Sequence, residues 1–180
     1  MERSSTGLNG EAEGPVRLVI FAVGNPSRGD DALGPMLMEE LECQAPPGVE
    51  LVSDFQLQPE HALDLYGCAL ALFIDAGTGT PAPFEFRELT AAAGHSVSSH
   101  AFTPSEVLQV YATLHGHPAP PAFLLCVRGD HFALGESLSP GAQEHLEAAR
   151  RHLQACLVEP TAERWRHHLT GAQGPTEAQR

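Results

Sequence analysis

A chain of 180 residues, 42% of them hydrophobic, is long enough to close one domain around a real core. Its formal charge of −13 is wrong for a phosphate-backbone partner, which needs a basic face. All ten basic residues are Arg, and the absence of Lys excludes a Walker A lysine, a pyridoxal Schiff base and a Ser–Lys dyad.

Residues 1–15 are rich in Gly, Ser, Thr and Glu and read as a disordered tail. The polar start, Met1 to Gly14, lacks the apolar stretch of a signal peptide. No apolar run reaches about 18 residues, so no membrane span is expected. Cys43, Cys68, Cys126 and Cys156 are too widely spaced for a Cys-x-x-Cys site and read as free thiols in a reducing compartment. The expectation is a cytoplasmic protein with no membrane partner.

Residues 16–158 carry the alternating pattern of one domain. Arg17–Val23 is a buried strand, Gly24–Asp31 a turn-rich loop, and Ala32 to about Gln44 a helix with Leu33, Leu37 and Leu41 on one face. Val49–Ser53 reads as a second strand, and Pro59–Tyr66 as a short helix with Pro at its first turn. Ala69–Ile74 is a third buried strand, and Phe84–Leu89 alternates as a half-exposed strand does. Thr103 or Ser105 caps a helix running to about His115, and Ala122–Val127 is a further buried strand. Ser139 caps the last helix, with Pro140 at its first position and an end near Leu157. Residues 159–180 read as a flexible tail. Strands alternating with helices predict an α/β fold of three layers, a mostly parallel central sheet with helices on both faces.

Chemistry-bearing residues gather at one edge of this sheet. The loop Gly24-Asn25-Pro26-Ser27-Arg28-Gly29-Asp30-Asp31 follows the first strand, at the C-terminal edge where α/β proteins bind ligands. Its glycine spacing is not that of a dinucleotide loop, and two acids stand where a phosphate would need N–H groups. One of the two aspartates could be a helix cap; the pair leaves the choice between cap and site open. Asp75 follows Phe73-Ile74 at the same edge, where its alternative is a solvated strand end or a carboxylate satisfied by loop amides. If the third strand returns beside the first, Asp31 and Asp75 flank the topological switch point. Two such carboxylates can share a proton, bind a cation or hold a water. His100, in Ser98-Ser99-His100, adds an imidazole, and the three together suit nickel or zinc. The other nine of the ten His residues, His61 among them, read as surface residues. No His-Glu-x-x-His zincin motif and no Gly-x-Ser-x-Gly elbow is present.

The order Gly-Asn, Asp-Asp, Asp-Ala after a later strand, then a Ser-rich His before a helix resembles the hydrogenase maturation endopeptidases. The resemblance spans about Arg17 to Leu157. It implies a three-layer α/β enzyme that removes a C-terminal peptide from the large-subunit precursor of a nickel–iron hydrogenase after nickel insertion. It implies that Asp31, Asp75 and His100 contact metal, that Asp31 and Asp75 serve catalysis, and that the nickel belongs to the substrate. Two features depart from the pattern. Ala32 stands where the family often has Gly, and Asp54-Phe55-Gln56-Leu57-Gln58-Pro59-Glu60 replaces a Gly-Gly-Thr-like turn. The Gln-Leu-x-Pro-Glu form resembles the branch that serves cytoplasmic, cofactor-reducing hydrogenases. Two other readings compete: a metallopeptidase with its own bound metal, and a non-catalytic nickel or assembly chaperone.

Overall fold

The computed structural model describes residues 17–44, 46–93 and 102–170. Five strands, β1 (Leu18–Val23), β2 (Val49–Asp54), β3 (Leu70–Gly77), β4 (Phe84–Leu89) and β5 (Ala122–Arg128), form one sheet in the order β2-β1-β3-β5-β4. β1 runs parallel to β2 and β3, and β3 parallel to β5; β4 is the antiparallel edge. β1 and β3 are therefore neighbours, and the switch point lies between their C-terminal ends.

Every residue of β1 is buried, because this strand is covered on both faces. One face carries Leu18, Ile20, Leu72, Ile74, Phe123 and Leu125 against helices α1 (Leu33–Glu42) and α3 (Pro140–Val158). The other carries Val19, Phe21, Phe73 and Leu124 against α2 (Pro104–His115) and the segment around Ala62 and Leu65. These are the three layers anticipated above. Among the described residues no helix is long and apolar enough to cross a membrane.

The helix ends follow from local chemistry. Thr103, not Ser105, caps α2: its hydroxyl accepts the Glu106 N–H while Glu106 reaches back to the Thr103 N–H. Gly116 closes the same helix in the left-handed conformation at φ 70°. Ser139 caps α3 through the Ala142 N–H. Where a helix was anticipated over Pro59–Tyr66, the chain makes only a 3-10 turn, Pro59–Ala62, followed by turns.

The end of the chain corrects the sequence reading. Residues 162–170 do not behave as a tail, since Ala162–Arg166 forms a helix, α4. Its Trp165 is fully buried, with its ring edge on Phe86 and Phe123 and its indole N–H donating to the Cys156 carbonyl at 2.9 Å. The polar surroundings of Trp165 hide one large apolar side chain that outweighs them. The Thr170 N–H then donates to the Phe86 carbonyl on the edge strand. The expected tails at 1–15 and beyond residue 170 lie outside the described residues.

Candidate active site

The loop after β1 is shaped by close backbone approaches. Gly24 has φ 143°, and a Cβ there would sit 2.0 Å from the Asp31 carbonyl oxygen. At Gly34 a Cβ would sit 2.7 Å from the Val23 carbonyl oxygen, so the first turn of α1 lies directly over the end of β1. Between them Gly29–Ala32 winds one 3-10 turn that leads straight into α1.

This turn sends its two acids to different surroundings, and neither caps the helix. Asp30 is fully buried and accepts four hydrogen bonds, from the backbone N–H groups of Asp130, His131 and Ser139 and from the Ser139 hydroxyl, at 2.8–2.9 Å. Burial opposes its ionisation, but those donors outweigh burial and hold its carboxyl below the usual aspartate value. Asp30 thus ties the first loop to the segment 128–139 that follows β5. Backbone pairs from Gly29 to Glu136, Asp30 to His131 and Gly135 to Ser27 complete the join. Asp31 is half-buried, and its carboxylate accepts the Asn25 N–H at 3.0 Å.

Asp75 does not follow β3 but lies within it, paired in register with Cys126 of β5. The strand continues to Gly77 because β5 supplies partners as far as Arg128. Ile74 belongs to the α1–α3 face, so Asp75 projects from the opposite, α2 face. Burial pushes the Asp75 carboxyl up to about 6; the Ala76 N–H opposes the shift, and the negative charge of Asp31 adds to it. Asp75 is therefore not a solvated strand end. Asp31, in the loop after β1, is near enough for its charge to reach Asp75 on the adjacent strand β3.

His100 lies outside the described residues; Phe102, two positions later, pairs with Leu57 across an isolated β-bridge. Among the described residues no group of three His, Cys, Asp or Glu side chains is placed to hold a metal ion.

One pair of residues at this edge was missed. Asp54 ends β2 as Asp75 lies near the end of β3, and that shared position was the available signal. His61, a surface residue by its sequence context, is buried, and its Nε2 lies 3.6 Å from an Asp54 carboxylate oxygen.

No protein-family model matches this chain, and no curated protein matches it. Solved structures do. A nickel–iron hydrogenase maturation protease of Thermococcus kodakarensis KOD1 superposes with a TM-score of 0.61 at 23% identity, over 82% of this chain and 96% of that one. The hydrogenase-maturating endopeptidase HybD of E. coli superposes at 0.64 with 22% identity, over 80% and 93%. A hydrogenase 2 maturation peptidase of a Thaumarchaeota archaeon superposes at 0.56 with 18% identity, over 78% and 97%. The chain has the fold of these maturation proteases over nearly their whole length.

Proposed function

We propose that this chain is an endopeptidase that removes a C-terminal peptide from the nickel-loaded large-subunit precursor of a nickel–iron hydrogenase. The observation that carries the reading is the Asp31–Asp75 pair at the β1–β3 switch point, with Asp75 raised to about 6, on a fold shared with maturation proteases. A carboxyl group near 6 can exchange a proton at cellular pH, which an ordinary aspartate does poorly.

In this account the nickel arrives as part of the substrate and docks against Asp31, Asp75 and His100. The two acids repel one another until a cation reaches them, so an unloaded precursor is bound poorly and the site reads the metal state of its substrate. Docking places the scissile carbonyl beside the crevice. A carboxylate takes a proton from a water as its oxygen bonds to the carbonyl carbon. The carbon–nitrogen bond breaks, and the leaving amine takes a proton back from the carboxyl. The acidic surface and the lack of Lys suit a protein substrate rather than a nucleic acid, and a cytoplasmic setting suits a precursor still being assembled.

The test is to incubate the purified chain with nickel-loaded and nickel-free precursor and weigh the products. Shortening of the loaded form alone supports the reading; no shortening of either form contradicts it.

A further inference from the structure

We propose that Asp54 is a third carboxylate of the crevice and that His61 is its positioning residue, with Asp54 receiving a hydrogen-bond donor of the precursor beside the scissile bond. The inference rests on the function proposed above and deepens it.

Register places Asp54 at the same edge of the sheet as Asp75. Asp54 pairs with Val23 of β1, and Ala22 pairs with Ile74 of β3. Asp54 and Asp75 therefore stand on either side of the end of β1 and project from the same α2 face. Two strand spacings put their Cα atoms about 10 Å apart. The Asp54 carbonyl accepts the Gly24 N–H at 3.2 Å, so its backbone is fastened to the loop that carries Asp31.

His61 aims the side chain. The Gln58 N–H donates to His61 Nδ1 at 2.9 Å, so that nitrogen carries no proton and the neutral ring is protonated at Nε2. Nε2 faces Asp54 Oδ2 at 3.6 Å, an electrostatic contact longer than a hydrogen bond. The ring stands edge-on to Phe21 with centroids 5.7 Å apart, and the side chain is 11% exposed, so it cannot swing away. The other oxygen, Asp54 Oδ1, accepts the Phe55 N–H at 2.6 Å. The carboxylate is held from two sides yet remains 42% exposed.

Asp54 has room for a further donor, since its side chain is 42% exposed. Among the described residues the ion pairs formed by Arg side chains include none with Asp31, Asp54 or Asp75. Phe55, 65% exposed and next in the chain, adds an apolar surface for the same bound segment. The segment Asp54–Glu60, where the chain departs from the Gly-Gly-Thr-like turn, thus acquires a role: its 3-10 turn presents His61 to Asp54.

The experiment measures kcat and KM on nickel-loaded precursor for the parent, Asp54→Asn, His61→Phe and the double variant, with the nitrogen-15 spectrum of the His61 ring. Asp54→Asn should raise KM roughly tenfold or more with little change in kcat, the size of a lost charged hydrogen bond made equally in ground and transition states. His61→Phe keeps the ring on Phe21 and should raise KM by less. The double variant should be no worse than Asp54→Asn, because His61 acts through Asp54. The spectrum should report protonation at Nε2. An active parent with an unchanged KM for Asp54→Asn, additive losses in the double variant, or protonation at Nδ1 would overturn the inference alone. An inactive parent would overturn the proposed function and this inference with it. Asp54 is exposed, so its variant folds and keeps the test open should His61→Phe not fold.

Discussion

Asp30 and Asp31 are neighbours in the chain, yet Asp30 accepts four hydrogen bonds from residues 130–139 while Asp31 accepts one, from Asn25. An Asn at position 30 would turn an amide toward donors. Asp30→Asn should therefore cost about 2–4 kcal/mol, as a buried charge-assisted network does when a partner is removed. Asp31→Asn should change stability by less than about 1 kcal/mol and still abolish cleavage. Urea denaturation of the two variants beside a cleavage assay checks both statements.

The Asp75 carboxyl gives stability a pH dependence of unusual sign. Its folded value, about 6, lies above the ordinary aspartate value, so the native state binds a proton that the unfolded state does not. Stability then falls as pH rises through about 6, and the cost is fully present at pH 7–8. Asp75→Asn removes it, so the variant should be more stable than the parent by up to about 3 kcal/mol at pH 8. That gain should disappear near pH 4, where the native Asp75 is protonated. Thermal melts at the two pH values check it; a variant less stable than the parent at pH 8 would contradict the burial of this charge.

Gly24→Ala tests the backbone of the site. A methyl 2.0 Å from the Asp31 carbonyl oxygen cannot be accommodated without moving the loop, and φ 143° is strained for any L side chain. Activity should fall at least tenfold, because a displacement of about 1 Å at a catalytic group has that scale of effect. Steady-state kinetics on the folded variant measures this, and unchanged activity would show that the loop does not set the position of Asp31.

The C-terminal segment is part of the fold. Trp165→Ala should cost about 3–5 kcal/mol, as large-to-small changes of buried aromatic residues do. Truncation after Pro160 should be at least as damaging, since it also removes the Thr170 contact with Phe86. Chemical denaturation of both forms checks this.

Elements with strong local signals could be read from the chain. The apolar runs of β1, β3 and β5, the Thr103 and Ser139 caps and the paired prolines after them made the strand and helix order plain, and that order implied the β1–β3 crevice. What could not be read depends on distant partners. The division of labour between Asp30 and Asp31 is decided by amides about 100 residues away. The extension of β3 through Asp75 depends on pairing with β5. His61 reads as an ordinary surface histidine until the tight turn after Pro59 brings it to Asp54. Trp165 looked like part of a polar tail because its partners, Phe86 and Phe123, lie on the sheet. His100 falls outside the described residues, so its role rests on the resemblance.

The measurement that tests the account most directly is the mass of a nickel-loaded hydrogenase large-subunit precursor after incubation with the parent chain, Asp31→Asn and Asp75→Asn. The parent should remove a C-terminal peptide, and each folded variant should leave the precursor at full length. Shortening of the precursor by both variants at the parent's rate would contradict it.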